Sequence, residues 1–408
     1  MKNSMLLKVA FRNVFRQKRR SLLTLLTIFG GFTLSAFSIG WSDGSYSYII
    51  NMFTRNRLGH LQVHGKGYLD KPTLYNTIDD YYKEGRKIAS VKGVEAWAPR
   101  VYSAGLASLG QKTAAAQIIG IDPELENGAT WFDKKIISGA ALDKEPSRKV
   151  LLGKGLAEML KSNPTDRVVI ISQASDGSIA NDIYEVSGIV ESGDEMNDRA
   201  AFYLHIKDAA ELLVLENRAH EIAVIAGNIK DVKRLEKDIA SALDNDRLSV
   251  EPWYVVSKSF YNAMKADVEG MWVMLFVIIM IVAVGVLNTI LMSVLERRRE
   301  YGLLKSLGTG PKQVFLLVMY EVYILSFVSI ILGTAAGLAL NYYFSFNGIS
   351  LNTAFTYGGV EFSAMYTEIN ARSFYIPAIA VLFTAGIVGI FPSLRAAKVD
   401  PAKAMRTH

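Results

Sequence analysis

The chain has 408 residues, half of them hydrophobic, with 45 Lys and Arg against 39 Asp and Glu and a net charge of +6. It contains no cysteine, so its fold cannot depend on disulfide bonds. A basic balance would suggest a nucleic-acid partner for a soluble protein, but here the basic residues lie beside long apolar segments. We therefore exclude nucleic acid as a partner.

Basic residues concentrate in three segments, residues 1–20, 296–313 and 392–408. Together these hold 16 Lys and Arg against 3 Asp and Glu. Lys and Arg that flank membrane spans stay on the cytoplasmic side. The three segments are therefore predicted to be cytoplasmic: an amphipathic N-terminal helix, a coupling loop and a tail.

Four apolar segments, each about as long as the ~20 residues that cross a bilayer, alternate with these clusters. They are residues 21–43, 269–295, 314–340 and 374–391. The first is longer than the apolar run of a cleaved signal peptide and is expected to be an uncleaved anchor. An even number of spans agrees with both termini being cytoplasmic.

The segment 44–268 is predicted to be a large periplasmic α+β domain with two lobes, the first built from about residues 44–125 and 220–260. Helical periodicity marks residues 207–215 and 232–243, where Val232, Leu235, Ile239 and Leu243 share one face. Short runs rich in β-branched residues predict strands. These runs are 114–119, 167–171, 183–189 and 221–225.

His60 and His64 are the nearest approach to a metal motif in this domain. They lie in GHLQVHG, where Leu61 and Val63 alternate as in a strand and would place both histidines on its outer face. No third ligand is near in sequence, so a solvated or lobe-packing strand is favoured over a metal site. Nucleotide-binding and hydrolase motifs are also absent from the sequence, which predicts no catalytic residues.

Residues 257–269 contain no Pro and lead directly into the second span. A helix could therefore continue from the periplasmic domain into the bilayer as a stiff stalk.

Beyond that span, residues 296–313 begin with an Arg run and then predict a short amphipathic helix with Leu303, Leu304 and Leu307 on one side. Such a helix can occupy a partner's groove or lie in the membrane interface, whereas a simple connector would not explain the leucines.

Polar and small residues mark the membrane spans. Glu321 and Asn288 are polar candidates for function, although Glu321 could equally lie near the cytoplasmic interface and bond a neighbouring helix. Gly333 and Gly337 in the third span, and Gly386 and Gly389 in the fourth, predict close helix packing within or between subunits. The intervening residues 341–373 are predicted to form a short periplasmic loop.

Three segments resemble the FtsX/MacB-type permeases of ABC transporters. Residues 297–308 (RRREYGLLKSLG) match the cytoplasmic loop of that family, residues 392–406 (PSLRAAKVDPAKAMR) its ending, and residues 10–24 its amphipathic N-terminal helix. The arrangement of one span, a large outer domain and three further spans is also similar over the whole chain.

The resemblance implies a MacB-like periplasmic core domain and a non-catalytic permease that works by mechanotransmission. It also implies a pair of permeases, the second being another copy or a paralogue, served by a separate cytoplasmic ATPase that binds ATP and Mg. No cofactor or metal would be bound by this chain. The implied ATPase-coupling residues are Arg299, Glu300, Gly302, Leu303, Leu304, Lys305, Leu307 and Gly308.

Residues 59–68 (GHLQVHGKGY) and 150–157 (VLLGKGLA) look most like lipoprotein-releasing permeases of the LolC/LolE type. That resemblance implies a bacterial inner-membrane location and lipoprotein traffic toward the outer membrane, with a periplasmic carrier or lipoprotein as a further partner. One departure is Pro164-Thr165-Asp166, where such relatives commonly have Gly-Asp. The alternatives are MacB-like efflux of another periplasmic substrate and FtsX-like signalling to a cell-wall hydrolase.

Overall fold

The computed structural model describes residues 3–16, 18–357 and 360–406. Residues 1–2 of the predicted N-terminal segment, residue 17 and residues 407–408 of the predicted tail lie outside the described residues. The chain divides into two compact units. The membrane unit is formed within residues 1–47, 264–351 and 364–408, and the extracytoplasmic unit within 48–263 and 352–363.

The helices of the described residues are distributed along the whole chain. They are α1 (Asn3–Arg16), α2 (Lys18–Phe53), α3 (Tyr81–Ala89), α4 (Pro123–Thr130), α5 (Lys154–Leu160), α6 (Glu195–Asp198), α7 (Ile206–Leu213), α8 (Val232–Leu243), α9 (Trp253–Val256), α10 (Lys258–Glu296), α11 (Arg298–Ser306), α12 (Pro311–Asn347), α13 (Arg372–Ala397) and α14 (Pro401–Arg406). A π-helical turn, Thr54–Leu58, follows α2.

The strands lie between α2 and α9, apart from one later hairpin. They are β1 (Leu61–Gly65), β2 (Ile78–Asp79), β3 (Val94–Leu109), β4 (Lys112–Ile121), β5 (Ile136–Gly139), β6 (Lys149–Gly153), β7 (Arg167–Gln173), β8 (Ile179–Val190), β9 (Ala201–His205), β10 (Arg218–Ala219), β11 (Glu221–Ala226), β12 (Leu248–Pro252), β13 (Ile349–Tyr357) and β14 (Val360–Met365).

Four helices, α2, α10, α12 and α13, are long and apolar enough to cross a membrane. This confirms the four predicted spans. All four helices are longer than the apolar segments that predicted them: α2 continues to Phe53, α10 begins at Lys258, α12 continues to Asn347 and α13 extends from Arg372 to Ala397. Hydropathy marks the part of a helix that lipid can cover, whereas the backbone hydrogen bonds continue until a breaking residue is reached.

The core of the membrane unit forms where the four long helices and α1 meet. Leu6 and Ala10 of α1 are fully buried, and α1 packs against α12. Phe32 of α2, Val318 of α12 and Val381 of α13 belong to the same buried cluster. The N-terminal helix is therefore part of the folded membrane unit.

The predicted short loop 341–373 contains structure that the sequence did not indicate. α12 occupies its first residues, and β13 and β14 pair as a two-stranded sheet. Residues 358–359, which separate these two strands, lie outside the described residues. The segment 352–363 belongs to the extracytoplasmic unit.

The extracytoplasmic unit is built on one mixed sheet in the order β12-β1-β11-β3-β4-β9-β6-β8-β5, with β7 pairing to β3 and β8. The pairs β4–β9 and β6–β8 are parallel. All four predicted strands are present within β4, β7, β8 and β11. α8 has the predicted bounds, and its predicted face of Val232, Leu235, Ile239 and Leu243 is buried.

The two lobes share the β3–β4 hairpin. The first half of β3 pairs with β11, where Arg100 lies opposite Glu221. The second half pairs with β7, where Gly105 lies opposite Ser172. Since β3 has 16 residues, it is long enough to pair with both of these strands.

Of the two alternatives predicted for His60 and His64, a solvated strand is wrong and a packed strand agrees with the structure. β1 lies between β11 and β12, and both histidines are 1% exposed. His64 Nδ1 lies 3.1 Å from the His220 carbonyl oxygen, and its ring stacks on Tyr68. His60 accepts a hydrogen bond from the Ala226 amide at 2.9 Å, and burial lowers the pKa of His60 to about 4. These ring nitrogens are occupied by structural hydrogen bonds.

The orientation of the spans yields a labelling prediction. Single cysteines replacing Asp176, in an exposed turn of the extracytoplasmic unit, and Lys312, exposed at the start of α12, should react differently with a membrane-impermeant maleimide. In cells with a permeabilised outer membrane we expect Asp176→Cys to be labelled and Lys312→Cys to be protected. Both should react once the inner membrane is opened. Labelling of Lys312→Cys but not of Asp176→Cys while the inner membrane is intact would contradict the predicted topology.

Candidate functional site

The predicted coupling loop folds as α11, which begins after Arg297 and is followed by Gly308 with a φ of 94°. The structure does not place Leu303, Leu304 and Leu307 on one exposed side. Leu303 is 53% and Leu307 is 76% exposed, whereas Leu304 is half-buried against the membrane-unit core. The apolar surface available to a partner is therefore Leu303 and Leu307, one helical turn apart, beside the exposed Arg299 and Gly308.

Two of the predicted coupling residues hold α11 against the end of the chain. Gly302 is buried, and a Cβ at this position would lie 2.8 Å from the Cβ of Ala404 in α14. Lys305 Nζ donates hydrogen bonds to the carbonyl oxygens of Ala397 at 3.0 Å and Val399 at 2.7 Å. Its positive charge thereby caps the C-terminal end of α13. The tail is thus a support for the loop helix.

A buried ion pair supports α11 from its other end. Arg297, 5% exposed, donates from Nη1 to both carboxylate oxygens of Glu321, at 2.8 and 2.9 Å. Asn13 of α1 donates to the same carboxylate at 2.8 Å. Burial alone would lower the pKa of Arg297, but the charge of Glu321 outweighs it and raises that pKa above its ordinary value. Of the two predicted roles of Glu321, the structure favours bonding to neighbouring helices.

Glu300 connects this ion pair to the N-terminal helix. Its carboxylate accepts a hydrogen bond from Arg297 Nε at 2.8 Å and also pairs with Arg16 of α1. A further pair joins Arg20 to Glu296 at the end of α10. α1, α2, α10, α11 and α12 therefore meet in one charged cluster, which we call the junction: Asn13, Arg16, Arg20, Glu296, Arg297, Glu300 and Glu321.

Sequence inspection missed Asn13, Arg16 and Arg20 as members of the junction. These residues lie far along the chain from Glu321, and the basic cluster around them has an independent explanation in membrane topology. One signal was available: an acid inside an apolar span requires a buried cation or donor nearby. Arg297 ends the preceding span and was the natural candidate.

The glycines of the third span pack α12 against α2. A Cβ on Gly333 would lie 2.6 Å from the ring of Phe32, and one on Gly337 would lie 3.3 Å from the Cβ of Ala36. Ala at Gly333 would therefore require a shift of the buried Phe32 ring or of the helices themselves.

The glycines of the fourth span pack α13 against α12. A Cβ on Gly386 would lie 2.5 Å from the hydroxyl of Tyr323, and one on Gly389 would lie 3.3 Å from Met319 Sδ. All four predicted packing glycines are thus at helix contacts within the subunit. Asn288 is different, since its side chain is exposed on α10.

The extracytoplasmic unit contains a separate cleft of about 730 Å³. Leu69, Pro72 and Leu74 line one side, and Ala104, Ala115 and Gln117 of the β3–β4 hairpin line the floor. Deeper in the cleft, Arg100 pairs with Glu126 at 2.7 Å and Glu221 at 2.8 Å. Its volume lies within the ~300–1,000 Å³ range typical of small-molecule sites.

The chain combines four membrane helices, a large α/β extracytoplasmic domain and a loop helix that is held at both ends by contacts with other helices. This is the architecture of a transport-type membrane permease. Residues 21–242 match the family described as MacB-like periplasmic core domain, and residues 272–401 match FtsX-like permease C-terminal. The chain belongs to the FtsX/MacB-type ABC transporter permeases. Permeases of this family work with cytoplasmic ABC ATPases. The spans and the periplasmic-type domain fit an inner-membrane protein.

Three proteins are similar to this chain over most of its length. The lipoprotein-releasing system transmembrane protein LolC of Neisseria meningitidis is 23% identical over 86% of both chains. The macrolide export ATP-binding/permease protein MacB of Campylobacter jejuni is 22% identical over 98% of this chain and 60% of its own length. An ABC transporter permease of Methanocaldococcus jannaschii is 22% identical over 100% of this chain and 98% of its own.

Two solved structures are also similar in part. The periplasmic region of MacB from Actinobacillus actinomycetemcomitans covers 51% of this chain and 95% of its own, with a TM-score of 0.37 and 15% identity. The extracellular domain of the transporter YknZ from Gram-positive bacteria covers 47% of this chain and 98% of its own, with a TM-score of 0.35 and 14% identity.

Proposed function

We propose that this chain is a non-catalytic inner-membrane permease subunit that works by mechanotransmission and releases lipoproteins toward the outer membrane. ATP and Mg would bind to a separate cytoplasmic ATPase, and this chain would hold no cofactor. A second permease, either another copy or a paralogue, would complete the transporter. A periplasmic carrier would accept the lipoprotein.

The observation that carries the proposal is the construction of α11. The junction fixes its beginning, and Lys305 and Gly302 fix it to α13 and α14. Although α11 is fixed at both ends, its residues Leu303 and Leu307 remain exposed. An apolar pair on a fixed helix suits insertion into a groove of a partner. Movement of that partner would then be transmitted to α10 and α12, the helices on either side of α11.

Replacing Leu303 or Leu307 by Asp should weaken binding of the ATPase. Each leucine that is buried on binding contributes about 1.5–3 kcal/mol, so we expect at least about a tenfold loss of affinity for each change. Co-purification of the ATPase with the detergent-solubilised permease measures this. Leu106→Asp is the matched control, because Leu106 is 50% exposed in the extracytoplasmic unit. Equal co-purification of all three variants would mean that the loop is a connector only.

Two long helices support transmission to the outer domain. α10 is one uninterrupted helix of 39 residues, and α2 has 36 residues. In the extracytoplasmic unit the rings of Phe53 and Phe260 stack with centroids 3.7 Å apart. A displacement of either helix would therefore be shared with the other at this contact.

The lipoprotein substrate is supported by the similarity to LolC over most of the chain. In proteoliposomes that contain the permease, its ATPase and a labelled lipoprotein, ATP should cause transfer of the label to a soluble periplasmic carrier. Omission of ATP is the control. ATP hydrolysis without transfer would count against lipoprotein release.

MacB-like efflux is the second candidate, and the cleft of about 730 Å³ in the extracytoplasmic unit favours it. A small ligand could be accommodated there. If efflux is the function, a periplasmic drug-like substrate should stimulate ATP hydrolysis and lipoprotein should not. FtsX-like signalling predicts that neither substrate stimulates hydrolysis and that a cell-wall hydrolase is activated instead.

A further inference from the structure

The side chains of α1 form three neighbouring strips along the helix, and the members of each strip are four residues apart. Residues with this spacing lie one above the other on an α-helix. We call the sets the buried strip, the apolar strip and the basic strip. They are, in that order, Leu6, Ala10 and Val14; Leu7, Phe11 and Phe15; and Lys8, Arg12 and Arg16.

Contacts with other helices fix the direction in which α1 presents these strips. The buried strip packs within the membrane unit. Asn13 of α1 donates to Glu321 of α12 at 2.8 Å, and Ser21 of α2 donates to the Val14 carbonyl at 2.6 Å. Rotation of α1 about its axis would break both hydrogen bonds and uncover the buried strip. The apolar and basic strips are therefore held outward.

The apolar strip has no cover within the described part of this subunit. Leu7 is 48%, Phe11 is 53% and Phe15 is 59% exposed, and the two phenylalanine rings pack together with centroids 4.8 Å apart. A single exposed apolar side chain is ordinary, but a continuous row indicates an apolar partner. The membrane span α2 begins at Lys18, two residues after α1 ends. Lipid chains are therefore the apolar phase nearest to this strip along the chain.

The basic strip borders the apolar strip and is largely uncompensated. Arg16 pairs with Glu300 of the junction, whereas no ion pair joins Lys8 or Arg12 to an acid among the described residues. The first twenty residues contain no Asp or Glu. Two more exposed basic residues begin α2, namely Lys18 and Arg19. The outer side of α1 is thus complementary to an anionic partner.

We propose that the outer side of α1 binds anionic phospholipid, with the apolar strip among the acyl chains and Lys8 and Arg12 on the headgroup phosphates. A helix with basic residues beside an apolar face suits the boundary between acyl chains and headgroups. Lys and Arg can reach phosphate oxygens while their carbon stems stay in the apolar layer. The inference does not depend on the proposed function or on the identity of the substrate.

Energy transfer in phosphatidylcholine vesicles that contain the full-length permease tests the lipid preference. A donor on Ser4→Cys, the single cysteine of that variant, lies on the exposed side of α1. Transfer to a trace of acceptor-labelled phosphatidylglycerol should exceed transfer to acceptor-labelled phosphatidylcholine, and high salt should weaken the difference. Lys8→Gln with Arg12→Gln should lower the preference by up to about fivefold for each charge removed.

Lys233→Gln with Lys237→Gln is the matched control for this change. These two lysines are exposed and also lie four residues apart on a helix, α8 of the extracytoplasmic unit. Their replacement removes the same charge and should leave the preference for phosphatidylglycerol unchanged. No preference in the unsubstituted protein, or an equal preference in the two double variants, would overturn the proposal.

A spin label at Phe11→Cys tests the apolar strip separately. In vesicles the label should collide more often with oxygen, which concentrates in lipid, than with a water-soluble nickel complex. The control is Ile179→Cys, which is exposed in the extracytoplasmic unit and should show the opposite order. If the Phe11→Cys label lay in water and became immobile only when the ATPase was added, the strip would be a protein-docking surface and the lipid proposal would be wrong.

Discussion

Replacement of Glu321 by Ala is expected to destabilise the membrane unit by up to about 3–5 kcal/mol, since the buried Arg297 would lose the carboxylate that binds its Nη1 and would keep only Glu300. Only 5% of the Arg297 side chain is exposed to solvent. We therefore expect a lower unfolding temperature and, in the assembled transporter, ATP hydrolysis that no longer supports transport. Thermal unfolding in detergent and the ratio of transport to hydrolysis measure the two effects.

A double variant separates the buried charge from the general loss of contacts. Arg297→Met together with Glu321→Leu removes both charges and should recover much of the stability lost in Glu321→Ala, because no uncompensated charge remains. The ratio of transport to ATP hydrolysis should stay low, since α11 has lost the ion pair that holds its beginning at the junction. If Glu321→Ala were no less stable than the double variant, the ion pair would not support the fold.

Proline in place of Ala266 should abolish transport while ATP hydrolysis continues. Ala266 is exposed within α10, so the change removes a backbone hydrogen bond and costs about 3 kcal/mol in the helix without disturbing a core contact. A Gly-Gly pair replacing Lys265 and Ala266 should have a milder effect, about 2 kcal/mol at most. Transport and hydrolysis assays on the same preparation distinguish uncoupling from misfolding.

Ala266→Leu serves as the control for this prediction. Leucine favours helix nearly as strongly as alanine, and the exposed position leaves room for it. This variant should transport normally. If Ala266→Pro also transported normally, force would not pass through a continuous α10.

Features that depend on local pattern were predictable from the sequence. The four spans followed from hydropathy and length, and the helix Val232–Leu243 followed from its periodic apolar face. The strand at residues 221–225 followed from its β-branched composition, and it is β11 in the structure. In each case the signal lies within a short stretch of chain.

Features that depend on distant contacts were not predictable. Helical periodicity placed Leu303, Leu304 and Leu307 on one side, but it could not show that Leu304 packs against the membrane-unit core. The burial of His64 requires β11, β12 and Tyr68, which lie on three other segments. The support of α11 by the tail rests on Lys305 and the carbonyl groups of Ala397 and Val399, more than 90 residues later.

The most direct test of the account is whether ATP binding at the cytoplasmic ATPase moves the extracytoplasmic unit. In the assembled transporter, one spin label at the exposed Ile179 of each permease copy reports the distance between the two outer domains. We predict that the distance distribution obtained with ATP and vanadate differs from the nucleotide-free distribution, and that Ala266→Pro abolishes the difference. Identical distributions in a transporter that hydrolyses ATP would contradict mechanotransmission through this chain.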